Sequence, residues 1–125
     1  MNKQRIFFKS KLSRKHPLAC AAIRAQKNRN NYIRNLILDD IYCPEVLRTL
    51  PETDESKPDL SKYDSSPLLL SLVFNPDKDE EVIEKLSSVP YMGGYIRDLI
   101  YYSIGEDPRK HDTPHSRSIA TKNLK

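Results

Sequence analysis

A six-residue stretch occurs twice in this chain of 125 residues. The first copy, Tyr32-Ile-Arg-Asn-Leu-Ile, returns 63 positions later as Tyr95-Ile-Arg-Asp-Leu-Ile, with five of the six residues identical. Each copy follows a similar series of a short apolar run, a loop and a helix-like segment. Such an internal repeat predicts two similar structural units. Because units of about forty residues rarely hold a core alone, the two should bury their apolar faces against each other or against a second chain.

Basic residues are concentrated in the first third of the chain. Residues 1–38 contain ten Lys and Arg residues and no acidic residue, although the net charge of the whole chain is only +4. Residues 39–66 have eight acids against three bases, and residues 67–105 have six acids against three bases. A basic block of this kind is typical of a polyanion-binding surface, and a solvated surface or an unstructured arm gives the same composition.

The first copy predicts a strand followed by two helices. Residues 5–12 alternate between an apolar face and a face with two lysines, which is the period of a strand. The inward set comprises Ile6, Phe8, Ser10 and Leu12, and the outward set comprises Phe7, Lys9 and Lys11. The spacing predicts helices over residues 16–27 and 31–42, the second of them capped by Asn30 or Asn31.

The second copy predicts the same order of elements. A strand begins at Leu68, and helices follow over residues 78–88 and 93–104, with Gly105 ending the last one. Both faces of this strand are apolar. Matching Phe74 to Leu12 assigns the outward face to Leu69, Ser71 and Val73.

These patterns divide the chain into four parts. We predict a basic first repeat over residues 1–43, an acidic linker over 44–67, a second repeat over 68–105 and a flexible basic tail over 106–125. Because the backbone groups of a lone strand need partners, the two strands should pair as a two-stranded antiparallel ribbon above four helices. The sequence leaves open whether the repeats pair within one chain or between two chains.

The sequence indicates neither catalysis nor a cofactor. It has no pairing of a nucleophile with a base and no phosphate-binding glycine loop. His111 and His115 have a metal-compatible spacing, but no Cys lies near them, so no metal site is predicted. Cys20 and Cys43 are too few for a disulfide framework, and Cys20 is expected in the core. No apolar run has the length of a membrane span, and the expected location is the cytoplasm.

Two segments of the chain resemble a known family. Lys9-Ser-Lys-Leu, then a helix, then Asn30-Asn-Tyr-Ile-Arg-Asn-Leu-Ile resembles the ribbon-helix-helix family of DNA-binding proteins. The second copy, from Leu72-Val-Phe-Asn-Pro-Asp to Tyr95-Ile-Arg-Asp-Leu-Ile, is similar to the plasmid-segregation branch of that family, the ParR/StbB-like proteins. The resemblance implies a mainly α fold with a tandem ribbon-helix-helix (βαα-βαα) arrangement and double-stranded DNA as the ligand.

The chain departs from that family in two respects. Most members have one repeat and dimerise, whereas this chain has two in tandem, as some conjugation (relaxosome) accessory proteins do. Its second strand also lacks polar outward residues, apart from Ser71. The resemblance further implies a partner at the C-terminal tail, either a filament-forming NTPase or a relaxase.

A two-stranded ribbon fits the major groove of DNA, so the outward residues of the strands are the candidate base contacts. Those on the first strand are Phe7, Lys9 and Lys11, and those on the second are Leu69, Ser71 and Val73. The candidate phosphate contacts are Arg5, Arg29, Asn30, Asn31, Gly93 and Gly94, most of them at the start of a second helix, where N–H groups point outward. Arg34 and Arg97 either pair within the fold or contact DNA.

Three functions follow as hypotheses. The first is a DNA-binding protein of a plasmid or mobile element that binds repeated sites for segregation (centromere binding), autorepression or both. The second is a relaxosome accessory protein, and the third is an antitoxin-like protein-interaction module. The expected assembly is an intramolecular pseudo-dimer or a homodimer that assembles further on DNA repeats.

Overall fold

The computed structural model describes residues 4–53, 55 and 57–111. In chain order, its strands and α-helices are β1 (Ile6–Leu12), α1 (Pro17–Arg24), α2 (Arg29–Tyr42), α3 (Pro44–Leu47), β2 (Leu68–Phe74), α4 (Glu80–Ser88) and α5 (Met92–Ser103). A short 3-10 helix, Pro108–His111, follows α5. The described residues therefore form a largely helical fold with one sheet of two strands, as the sequence predicts in outline.

The two strands pair with each other inside the chain. β1 and β2 are antiparallel, and Lys9 lies opposite Ser71 at the centre of the pairing. Of the two arrangements that the sequence left open, this is the intramolecular one. The inward faces of both strands are apolar except for Ser10, and their most deeply buried residues are Leu12, Leu70, Leu72 and Phe74, each 1% exposed.

The duplicated stretch forms the centre of the core. Its first copy lies in α2 and its second copy lies in α5. The apolar residues of both copies are buried, namely Ile33, Leu36 and Ile37 in the first and Ile96, Leu99 and Ile100 in the second. Cys20, in α1, is fully buried in the same core, which confirms its predicted role.

The helix ends differ in part from the predictions. α2 begins at Arg29, two residues earlier than predicted, because the side chain of Asn28 accepts a hydrogen bond from the backbone N–H of Asn31. The prediction that Asn30 or Asn31 caps this helix is therefore wrong. Gly105 ends α5 as predicted, with a φ of 78° that favours glycine.

The segments around the repeats are packed where the structure describes them. Arg24 donates hydrogen bonds to the linker carbonyls of Asp64 (2.9 Å) and Pro67 (3.2 Å) and so fixes the approach to β2. The ring of His111 stacks on Tyr101 with 4.4 Å between centroids, so the predicted flexible tail begins with a packed turn. Residues 112–125 of that tail, residues 1–3 of the first repeat and residues 54 and 56 of the linker lie outside the described residues.

The described residues include no helix that is both long and apolar enough to cross a membrane.

Candidate nucleic-acid interface

The outward side of the β1–β2 ribbon presents six side chains, which we call the ribbon face: Phe7, Lys9, Lys11, Leu69, Ser71 and Val73. The alternation of the strands brings all of them to one side, because the intervening residues pack on the helices. The structure thus places the outward residues of both strands on one continuous surface.

The pairing register gives the ribbon face an order along its length. Phe7 lies opposite Val73 at one end, and Lys11 lies opposite Leu69 at the other end. Phe7 is 69% exposed and Leu69 is 57% exposed, so two large apolar side chains face solvent together with the lysines. This combination of ammonium groups and apolar groups can bind a polyanion that also has apolar edges.

The basic residues of the N-terminal block, residues 1–38, lie on β1 and on the segments before and after it as far as α2. Those that are exposed are Arg5, Lys9, Lys11, Arg14, Lys15, Lys27 and Arg29. Two further arginines of the block are used inside the fold. Arg24 binds the linker carbonyls, and Arg34 forms an ion pair with Asp79, with 2.5 Å between Nε and Oδ1. The cationic surface is therefore smaller than the sequence count implies.

The start of α2 is attached to the edge of β2. The side-chain amide of Asn30 donates to the carbonyl of Val73 (2.8 Å) and accepts from the N–H of Val73 (2.7 Å). Asn30 thus pairs with β2 as a neighbouring strand would, and its side chain has a structural task. The adjacent residue, Arg29, is exposed, so its side chain is better placed than that of Asn30 to contact a phosphate.

The start of α5 lies beside β1. A Cβ atom on Gly93 would be 3.2 Å from the hydroxyl oxygen of Ser10, and one on Gly94 would be 2.7 Å from the ring of Tyr91. A side chain at Gly94 would therefore require the Tyr91 ring to move, whereas Gly93 is in a tight contact with Ser10. The ring of Tyr91, which is 66% exposed, lies against this helix start.

The duplicated tyrosines connect α2 and α5. The hydroxyl group of Tyr95 donates to Oδ2 of Asp40 (2.7 Å), and the hydroxyl group of Tyr32 is hydrogen-bonded to that of Ser103. Asp40 also accepts a hydrogen bond from Nε of Arg48 at 2.9 Å. Burial alone would raise the pKa of Asp40, but the hydrogen bonds from Arg48 and Tyr95 and the positive charges of Arg48 and Lys85 together lower that pKa. Burial and the bond to Asp40 raise the pKa of Tyr95.

Two further contacts connect α2 to the residue before α4, and α5 to the residue before α1. Arg34 of α2 binds Asp79, which precedes α4. Tyr101 of α5 is hydrogen-bonded through its hydroxyl group to Nδ1 of His16, which precedes α1, at 2.8 Å. Arg34 therefore has a pairing role in the fold, one of the two roles that the sequence allowed.

Two residues of this region, Asn28 and Tyr91, were not predicted from the sequence. Asn28 lies three residues before the N–H that it accepts, which is the usual spacing of an N-cap, and could have been found by that signal. The ring of Tyr91 over Gly93 and Gly94 depends on packing and has no sequence signal. Across the described ranges, no group of three or more His, Cys, Asp and Glu side chains is arranged to hold a metal ion.

Comparisons with known proteins identify no relative: no protein-family model matches the chain, and no curated protein or solved structure proved similar to it.

Proposed function

We propose that the protein binds double-stranded DNA by inserting the ribbon face into the major groove. The observation that carries the proposal is the position of Lys9 and Lys11 on the solvent side of a two-stranded ribbon whose six outward residues include no acid. A two-stranded ribbon matches the width of the major groove, where lysine donates to base edges. The exposed Arg5 and Arg29 would bind flanking phosphates.

The contacts of the duplicated stretch support a tandem ribbon-helix-helix unit. Tyr32 and Tyr95 are 63 positions apart, and so are the residues that they bind, Ser103 and Asp40. The start of α2 contacts β2 and the start of α5 contacts β1, so each repeat packs on the strand of the other. We infer that the two repeats are related as the two subunits of a ribbon-helix-helix dimer would be.

The biological role in this proposal is that of a plasmid or mobile-element protein. It would bind repeated sites for segregation, for repression of its own operon, or for both. A relaxosome accessory protein would bind DNA through the same surface. The neighbouring gene distinguishes the two roles, because it would encode a relaxase instead of a filament-forming NTPase.

One observation favours a second candidate function. Phe7 and Leu69 are large, apolar and well exposed, as is common at a surface that binds another protein. In an antitoxin-like module the ribbon face would hold a small protein partner. Copurification of such a partner, lost in Phe7→Ala and Leu69→Ala variants, would favour this function over DNA binding.

A gel-shift titration with the DNA upstream of the protein's own gene tests DNA binding. We expect the Lys9→Ala/Lys11→Ala variant to bind at least about tenfold more weakly, because each lysine loses a base or phosphate contact. The affinity of the unchanged protein should also fall steeply as the salt concentration rises, because each phosphate contact releases counterions.

A matched control is the Lys62→Ala/Lys110→Ala variant. Both lysines are exposed and lie outside the two strands, Lys62 in the linker and Lys110 in the 3-10 helix. The change in net charge is identical, because each variant replaces two lysines. This control should bind as the unchanged protein does. No shift with the unchanged protein, or equal losses in the two variants, would contradict the proposal.

A further inference from the structure

The ribbon face lacks the symmetry that two identical strands would give it. When Leu12 is matched to Phe74, Lys9 corresponds to Ser71 and Lys11 corresponds to Val73. The register places the Lys9–Ser71 pair at the centre of the ribbon, with Phe7 and Val73 together at one end. One end of the face is therefore wholly apolar, and the centre and the other end each carry one lysine.

We propose that the ribbon face reads a non-palindromic DNA site, with guanine beside Lys9 and Lys11 and thymine methyl groups beside Phe7 and Val73. This proposal rests on the proposed function, because it assigns the bases that the same surface recognises. It makes the protein bind its site in one orientation only.

The assignment of guanine to Lys9 and Lys11 follows from the hydrogen-bonding groups of the bases. Guanine presents two acceptors, O6 and N7, in the major groove, and an ammonium group donates to both. Lys9 and Lys11 are two residues apart on one strand, so they rise from points separated by about 7 Å. That separation equals roughly two base-pair steps, since the spacing along each strand of DNA is about 3.4 Å.

The assignment of thymine to Phe7 and Val73 follows from the methyl group of that base. This methyl group is the one apolar feature that a base offers in the major groove. Phe7 and Val73 have no polar side-chain atom, so contact with any hydrogen-bonding base edge would leave that edge without a partner. Thymine methyl groups avoid this cost, and their burial releases water from both surfaces.

The start of α2 supplies a phosphate anchor for the apolar end. The side chain of Asn30 fixes this helix start to the backbone of Val73 through two hydrogen bonds. Arg29 precedes Asn30 directly, and Lys27 lies two residues further back, both exposed. The apolar end therefore has cations beside it, although it has none on the face itself.

Selection of bound duplexes from a randomised DNA library, with the full chain, tests the orientation. We expect a non-palindromic consensus in which guanines and thymines are separated along the site. A palindromic consensus would overturn this proposal and leave DNA binding intact. Failure to enrich any duplex would overturn both the proposed function and this proposal.

Replacement of single thymines by uracil in the selected duplex tests the apolar contact. Uracil lacks only the methyl group, so binding should weaken about fourfold per contacted methyl group. The Phe7→Ala and Val73→Ala variants should lose this sensitivity and keep the guanine preference, whereas Lys11→Ala should do the reverse. Equal affinity of the unchanged protein for thymine and uracil duplexes would overturn the proposal.

Val46→Ala is the matched control for these variants. Val46 lies on α3, away from the ribbon, and is 76% exposed, so its truncation removes a similar apolar group from another surface. It should retain the full sensitivity to uracil. Circular dichroism of every variant separates a loss of contact from a loss of folding, and a folded Val73→Ala protein that still distinguishes thymine from uracil would count against the assigned role of Val73.

Discussion

Tyr32 on α2 and Tyr95 on α5 hold equivalent places in the duplicated stretch, and each reaches across to the other helix. The partner of Tyr95 is the buried carboxylate of Asp40, which also binds Arg48. The partner of Tyr32 is the neutral hydroxyl group of Ser103. The same geometry thus holds a charged contact on one side and a neutral contact on the other. The two contacts therefore hold equivalent positions in the repeated stretch and differ in their chemistry.

The two strands differ more strongly than the two helices do. Inward positions of both strands are buried or half-buried, whereas the outward positions exchange Lys9 for Ser71 and Lys11 for Val73. Packing constrains the inner faces, because a change of side chain there leaves a cavity or an overlap. Solvent imposes no such constraint, so the outer faces are free to acquire separate tasks.

The largest expected effect tests whether the two copies of the duplicated stretch contribute equally to the core. Ile37→Ala and Ile100→Ala each remove a fully buried side chain of the duplicated stretch. Each should lower the free energy of unfolding by about 2–5 kcal/mol, measured by urea denaturation. Because the two sites are equivalent, the two losses should be similar. A loss below about 1 kcal/mol at only one site would break the equivalence.

The next effect distinguishes the charged contact from the neutral one. Tyr95→Phe removes a donor from the buried carboxylate of Asp40, and should cost about 1.5–3 kcal/mol. Tyr32→Phe removes a hydrogen bond between two hydroxyl groups and should cost about 0.5–1.5 kcal/mol. Thermal or urea unfolding of the two variants measures the difference. A Tyr32→Phe protein less stable than Tyr95→Phe would reverse the assigned order.

The pH dependence of stability should differ between the same two contacts. The pKa of Asp40 is lowered in the folded protein, so its stabilising effect is complete above the unfolded value of about 3.9 and is lost as the pH falls through the folded value. The stability difference between the unchanged protein and Asp40→Asn should therefore be constant above about pH 5 and shrink below about pH 4.

Ser103→Ala is the control for this pH dependence. Its hydroxyl group does not titrate, so its stability difference from the unchanged protein should remain constant over the same pH range. Unfolding curves at several pH values measure both differences. A pH-independent difference for Asp40→Asn would show that its carboxylate does not contribute as described.

The smallest expected effect on stability sharpens the contrast between the strands. Ser71→Lys/Val73→Lys gives β2 the outward lysines of β1, and should change the free energy of unfolding by only about 0.5 kcal/mol or less, since both positions face outward. Binding to non-specific DNA should become tighter and more salt-dependent, with about one more unit of slope for each new phosphate contact. Gel shifts at several salt concentrations measure this, and unchanged binding would separate β2 from the interface.

The sequence predicted the order of the elements because the local signals and the fold agree. Alternation of apolar residues identified β1, and Gly105 ended α5 where a positive φ is required. It did not predict that the side chain of Asn30 pairs with β2, because that contact joins residues 43 positions apart. Arg24 and Arg34 likewise counted toward a cationic surface until their partners were known.

The packed turn Pro108–His111 was missed for a related reason. It has no apolar periodicity, and its position depends on the stacking of the His111 ring on Tyr101. The candidate interface was easier to anticipate than these contacts. Strand alternation alone separates the outward residues from the inward ones, whereas the use of each basic residue depends on tertiary neighbours.

A ribbon built from two separate molecules dissociates on dilution, because its assembly follows mass action. Here one polypeptide supplies both strands, and Arg24 holds the connecting segment at the carbonyls of Asp64 and Pro67. The pairing of the two strands is therefore intramolecular, and it does not depend on the amount of protein present. The surface that β1 and β2 form together therefore persists at copy numbers so low that a two-chain ribbon would come apart.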